Sequence, residues 1–468
     1  MGRLRKLAEL TPPGRVRYVD LLRALAITLV VLGHWIDTVI VYDHPGHLTG
    51  YSALSELHGL RPLTWIFQVI PVFFLVGGFA NAASLTSHRA RGGTATEWLL
   101  DRSTRLIRPT TVLLVILAAG SLLARLIGVD PAEIRTAVSF ATLPLWFLTA
   151  YVAVVGLTPI MHPLHRRYGF AVPLVLVVLV AAGDLGRLFG PGPLSGGNFL
   201  FGWLAIHQIG FAWYDGVTTA AGATDDAKAD LRSGRSGLFA HRLPLNRPAG
   251  AALLIVGLVA LLLLSVVGPY PVSMLTVPGE RLDNTSPPSL ALLALATLQL
   301  GVILLLYRPA ERWLRRQRPW RAVVAVNAVV LTIFLWHLSA VLLLTGALVA
   351  AHWLPAPPVG TASWWAWRVP WVLTLTVILL ALVGIFGPIE ARTGRHEDRE
   401  RKETGRSSAV RTMLVAGGYA AVVLGLLINS MVRMSTPEPL GIPPITLVAY
   451  LAGAGTLRLL RSAGRHLP

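Results

Sequence analysis

A chain of 468 residues that is 54 % apolar and only 14 % charged cannot cover a soluble surface, where about a quarter of residues are charged. With repeated apolar runs of about 20 residues, this excludes a soluble enzyme, a secreted disulfide scaffold and a disordered chain. The net charge of +18 sits at the edges of those runs rather than in one patch, which argues against nucleic acid as a partner. The chain has no cysteine, so disulfides, thiolate nucleophiles and cysteine-ligated metal clusters are excluded.

The predicted fold class is all-α, a polytopic membrane helix bundle with about 10 core spans plus 2 C-terminal spans. Arg3, Arg5, Lys6, Arg15 and Arg17 precede the first apolar run, which lacks a small-residue cleavage site and reads as an uncleaved anchor. Spans are expected at 19–40, 64–86, 107–127, 138–160, 170–188, 198–214, 250–269, 289–307, 322–350, 369–389, 411–432 and 442–460. A tight turn through Gly190–Gly197 joins the fifth and sixth. Isolated strands cannot satisfy their backbone in lipid, so helices are the only choice.

With a cytoplasmic N-terminus, the basic residues alternate loop by loop. Only Arg61, Arg125, Arg135, Arg187, Arg281, Arg368 and Arg433 fall on the exterior, and Arg23 lies within the first span. This positive-inside bias supports an even number of spans, both termini cytoplasmic, and a plasma-membrane location. Residues 17–390 read as the membrane core, 391–410 as a charged cytoplasmic linker and 411–460 as a C-terminal two-helix hairpin. The polar loop 215–249 also reads as a solvated linker.

Ionisable residues within spans cost at least about 2.5–3.5 kcal/mol each and are functional candidates. In the first span Asp20 and Arg23 are three apart and can pair, and His34 follows Arg23 by eleven residues. Eleven residues is close to three helical turns, so both point to one side, roughly 16 Å apart along the axis. Asp37 lies one turn beyond His34 and could orient its ring. The competing reading makes Asp20 and Arg23 interfacial anchors and His34 an interhelical hydrogen-bonding group.

Gly77 and Gly78 in the second span allow close helix approach. Arg102, Arg105 and Arg108 recur every three residues as a cationic strip. That strip is either an anchor of topology or a phosphate clamp, since guanidinium groups bind phosphate bidentately. Trp146 and Tyr151 lie in the fourth span, and His337 is buried by pattern in the ninth, as a structural or site residue. Trp203, His207, Gln208 and Trp213 cluster in the sixth. His162 and His165 occupy a basic turn and read as surface residues. The loop residues Asp43, His44, His47, Glu56 and His58 give only a weak metal pattern, and no metal is expected; contact with a polar substrate is the equal alternative.

The ordered set Asp20-Leu-Leu-Arg23, Arg23-x10-His34, Phe73-Phe-Leu-Val-Gly-Gly-Phe79, Arg102-x-x-Arg105-Leu-x-x-Pro109, Trp146-Phe-Leu148 and Leu335-Trp-His337 resembles the acyltransferase 3 family of integral membrane proteins. The resemblance runs from residue 17 to about 390 and implies ten core helices. It implies transfer of an acyl group, acetyl or similar and from acyl-CoA (acetyl-CoA above all), onto a hydroxyl of a sugar, glycolipid, cell-envelope polymer or related small molecule. The chain departs from the family after Trp146, where no carboxylate follows, and at Gly77, where serine is common.

Under that resemblance His34 is the expected base, Asp37 its orienting group, and Arg23 a ligand of donor phosphate or of developing negative charge. Arg102 and Arg105 would hold coenzyme A phosphates, and His337 and Trp146 would contact substrate. The expected partners are the cytoplasmic acyl donor, the hydroxyl acceptor and the bilayer. The alternative is a twelve-span secondary transporter. Two similar six-span halves are not evident, and Asp101-Arg102 with the arginines downstream resembles the loop motif of major-facilitator carriers without its flanking glycines. The acyl group, the acceptor, the side of modification, the oligomeric state and the role of the last two spans do not follow from the sequence.

Overall fold

In a computed structural model the described residues are all-α apart from one hairpin. The structure describes residues 11, 14–44, 47–190, 192–220, 222, 240–277, 280, 282–393, 409–432, 438 and 440–463. The helices are α1 (Arg17–Asp37), α2 (Ile70–Ala90), α3 (Ala95–Leu126), α4 (Pro131–Thr142), α5 (Leu145–Tyr168), α6 (Ala171–Phe189) and α7 (Asn198–Ala220). They continue as α8 (Arg247–Leu262), α9 (Leu290–Leu314), α10 (Gln317–Asn327), α11 (Val330–Ala350), α12 (Ala362–Thr393), α13 (Ala409–Met431) and α14 (Pro444–Ala463). The expected linker 391–410 and most of the loop 215–249 lie outside the described residues.

Among the described residues, 10 helical segments are long and apolar enough to cross a membrane. The other two expected spans, α7 and α14, are helical but too polar for that set. In α7 the reason is visible: Asn198, His207, Gln208 and Asp215 are all buried, so protein and not lipid receives its polar groups. The expected span 138–160 is two helices, because Pro144 donates no amide hydrogen and disfavours helix at Leu143. The expected span 322–350 is likewise broken between α10 and α11. Glu390 takes over the start of α11, accepting from Leu331 N (3.1 Å), Thr332 N (2.8 Å) and Thr332 Oγ1 (2.6 Å).

The chain divides into two compact units. The first comprises residues 1–30, 58–87 and 157–327. Here the start of α1 is fastened by Tyr18 N donating to Glu311 Oε1 (2.8 Å) and Arg17 Nη1 donating to the Leu314 carbonyl (2.8 Å). Helices α2 and α7 cross where Gly78 meets Gly210: a Cβ on Gly78 would collide with the His207 carbonyl and sit 3.0 Å from Gly210 Cα. The expected close approach therefore falls on Gly78. Buried Asp184 joins α6, α7 and α9, accepting from Arg187 (3.2 Å), Asn198 (2.9 Å), Tyr270 Oη (2.9 Å) and Leu290 N (2.9 Å). Burial, helped by Asp184, pushes the Tyr270 phenol well above its ordinary value, so it stays a donor.

The second unit comprises residues 31–57, 88–156 and 328–468. α1 stops at Asp37 because a β-branched run, Thr38-Val-Ile-Val, begins β1 (Thr38–His44). β1 pairs antiparallel with β2 (His47–Ser52), from Thr38↔Ser52 to His44↔His47. Sequence patterning did not anticipate this hairpin. The last two helices grip α3: Tyr419 Oη donates to the Leu99 carbonyl (2.8 Å), Tyr450 Oη to the Ile107 carbonyl (3.0 Å), and Arg461 bonds Thr104. Arg135 of α4 is 1 % exposed and donates to the Gly441 (2.7 Å) and Val432 (3.1 Å) carbonyls, the two ends of the α13–α14 connection. Gly441 has φ 66°, and a Cβ there would lie 2.6 Å from Val138 Cγ2. Arg135→Ala is expected to lower stability by about 1.5–3 kcal/mol, the worth of charge-assisted bonds. Earlier proteolysis of the C-terminal pair, followed in membranes, would show it; an unchanged digestion profile would remove Arg135 as the clamp.

Candidate active site

The second unit carries the densest grouping of the predicted site residues. His34, in the last turn of α1, faces His337 of α11, their ring centroids 5.3 Å apart. His337 is fully buried. Its Nδ1 lies 2.6 Å from the Phe334 carbonyl oxygen. A carbonyl only accepts, so Nδ1 carries the hydrogen and Nε2 presents a bare lone pair. Nε2 has no hydrogen-bond partner among the described residues.

Backbone and tryptophan contacts fix the pair. Trp35 Nε1 donates to the His337 carbonyl (3.0 Å), and Trp371 Nε1 of α12 donates to the Trp35 carbonyl (3.1 Å). Trp35 and Trp371 are 2 % and 3 % exposed, so α1, α11 and α12 are locked together at this level. A run of aromatic contacts leads away from His337 through Phe334 (5.9 Å) and Phe147 (5.1 Å) to Trp146 (6.4 Å). Trp146 thus lies in the same unit as the histidine pair, two rings removed from it.

Asp37 has other bonds than the one expected. Its Oδ1 accepts from Ser52 Oγ (2.8 Å) and from Leu54 N (3.3 Å), tying the hairpin exit to the end of α1. Among the described residues it makes no hydrogen bond to His34. Arg102 lies over the Trp98 ring (5.5 Å to the centroid) and is half-buried, whereas Arg105 is exposed. Both sit on the stretch of α3 that α13 and α14 grip, far along the sequence from the histidines.

Arg23 belongs to the first unit. Its Nη1 lies 3.4 Å from both Asp20 Oδ1 and Asn327 Oδ1, and Arg15 makes two bonds to the Asp20 carboxylate (2.6 and 3.0 Å). α1 is one continuous helix, so Arg23 and His34 keep their separation of about three turns.

Two further histidine readings change. His162 and His165 are 8 % and 1 % exposed, not surface residues, because α5 continues to Tyr168 and buries both. His165 Nε2 lies 3.1 Å from Asp215 Oδ2, which Arg166 also approaches (3.3 Å). His207 is fully buried with Asn81 Nδ2 3.1 Å from its Nε2. The side chains of Asp43, His44 and His47 lie outside the described residues.

Sequence reading missed Arg368, counted there only as an exterior charge. Trp364, Arg368 and Trp371 follow at spacings of four and three, which set all three on one face of α12. That pattern was the available signal.

A family model described as an acyltransferase domain, Acyl_transf_3, matches residues 16–389. α13 and α14 lie beyond the match. No curated protein and no solved structure matches the chain.

Proposed function

The chain belongs to the acyltransferase 3 family of membrane proteins, and from that premise we propose that it moves an acyl group from acyl-coenzyme A to a hydroxyl of a sugar, glycolipid or envelope polymer. The observation that carries this reading is the His34–His337 pair, two imidazoles 5.3 Å apart with a bare Nε2 on one of them. In the proposed step the acceptor oxygen attacks the thioester carbonyl and its proton passes to the imidazole of His34. The carbon–sulfur bond then breaks, and the coenzyme A thiolate leaves with the proton that His34 returns. The bare Nε2 of His337 accepts a hydrogen bond from a second hydroxyl of the acceptor, next to the reacting one, and so orients it. With no cysteine in the chain, a thioester on the enzyme is excluded and direct attack is the simplest course.

Arg102 and Arg105 are the proposed phosphate ligands of the donor, and Arg23 is proposed to bind donor phosphate or developing negative charge. Both termini are proposed to be cytoplasmic in the plasma membrane, from the alternation of basic residues. The membership of an acyltransferase family favours this reading over a transporter.

The test is coenzyme A release from acetyl-coenzyme A by membranes containing the protein, with and without a cell-envelope glycan extract. Release that rises with the extract and vanishes in His34→Ala at matched expression is the expected result. Release indifferent to the extract would overturn transfer to a glycan hydroxyl.

A further inference from the structure

Arg368 lies on the inward face of α12 between two buried tryptophans, Trp364 (2 % exposed) and Trp371 (3 %). It is itself 8 % exposed. Its Cζ stands 4.3 Å from the Trp364 ring centroid, so one face of the guanidinium is occupied by the indole. Trp364 packs with Val39 of β1 and with Ala53, so the hairpin roofs this region.

The guanidinium edge is different. Its buried Nε has no hydrogen-bond partner, and among the described residues nothing forms a hydrogen bond or ion pair with Arg368. Asp37 is within electrostatic range, but its described bonds go to Ser52 and Leu54. A guanidinium carries five donors in a fixed fork and cannot lose its charge in a protein. A buried cation without a bonded anion is costly unless something pairs with it. Asp37 attracts Arg368 without saturating it. Asp37 is also one turn from His34 on α1, and Trp371, one turn from Arg368, holds the residue next to His34. Asp37 and Trp371 thus connect the unsaturated fork to the last turn of α1, which carries His34.

We propose that Arg368 is an anion-binding residue of the acceptor site. It would take a carboxylate or phosphate that the acceptor carries next to the hydroxyl to be acylated. The acceptor class is then an acidic sugar or a phosphorylated glycan rather than a neutral one. The proposal rests on the acyltransferase reading for the word acceptor; the anion site itself does not.

The experiment measures the thermal unfolding midpoint of the purified full-length protein during titration with glucuronate, glucose 6-phosphate, glucose and succinate. Glucuronate or glucose 6-phosphate is expected to raise the midpoint, and neutral glucose is not. In Arg368→Gln the half-saturating concentration should rise about tenfold or more, the worth of one charge-assisted bond. Arg368→Lys keeps the charge without the fork and should fall between; it also carries the comparison if Arg368→Gln does not fold. Gly120→Ala, a position of α3 whose Cβ would meet nothing within 4 Å, should titrate like the wild type. Equal responses to glucose and to the anions, or equal titrations in wild type and Arg368→Gln, would overturn the proposal. Stabilisation by succinate alone would overturn the acceptor assignment and put the charge on the acyl group. Failure of the acyltransferase reading would look different: the titrations would stand while His34→Ala changed no turnover.

Discussion

His34→Ala is expected to lower acyl transfer by about 100- to 10,000-fold, the range that a positioned general base contributes. The protein should still fold. Trp35 bonds the backbone carbonyl of His337, and Trp371 bonds the backbone carbonyl of Trp35, so neither bond uses the His34 ring. His337→Ala should also reduce transfer, and it additionally loses the Nδ1 bond to the Phe334 carbonyl and the packing of a fully buried ring. The informative variant is the double one. Two rings 5.3 Å apart that serve one acceptor act as a unit, and the losses of such units do not add. The double variant should therefore be no slower than His34→Ala within a few-fold. Fully multiplying losses would mean that the rings act in separate steps. Near-normal transfer in His34→Ala would remove it as the base. Size-exclusion profiles at matched expression separate these outcomes from misfolding.

What the sequence made legible follows from how local each signal is. Hydropathy marked the apolar runs because lipid demands them residue by residue. It overran the end of α1, since Thr38-Val-Ile-Val is apolar in either conformation and only the pairing Thr38↔Ser52 makes it a strand. It also read α7 as a span, when α7 is a polar helix whose Asn198, His207 and Asp215 are received by protein. His34 was legible as a histidine in an apolar span. Its partner was not: His337 lies on α11, and no spacing rule connects residues that meet only through packing. Asp37 was assigned to His34 by helical proximity, yet its bonds go to Ser52 and Leu54 in a hairpin that patterning did not predict. Arg368 and Arg135 counted only as charges on the wrong side of the membrane. One lies against a tryptophan with no hydrogen bond among the described residues, and the other clamps two carbonyls. The Phe73–Phe79 run did reveal its glycines, because close helix approach needs a small residue whatever the partner is.

That approach gives the second large effect. Gly78→Val should abolish a monodisperse, folded preparation, and Gly210→Val should do the same. A side chain on Gly78 meets the His207 carbonyl and the Gly210 backbone, and one on Gly210 meets the Leu75 carbonyl and lies 2.8 Å from Gly78 Cα. These neighbours are main-chain atoms of two buried helices, which cannot rotate away as a side chain could. Overpacking a core costs about 1–3 kcal/mol when neighbours relax, and more when they do not. The helices would have to part, and the buried Asn81–His207 contact one turn away would part with them. Gly120 of α3 is the matched control. It is also helical, but nothing lies within 4 Å of its Cβ position. Gly120→Ala should leave the unfolding midpoint unchanged or raise it, since alanine is the better helix former by about 0.5–1 kcal/mol. Fluorescence-detected size exclusion after a heating series reads all three variants. If Gly78→Val and Gly120→Ala survive heating alike, α2 and α7 do not depend on backbone contact, and the seam has room that the glycine geometry denies.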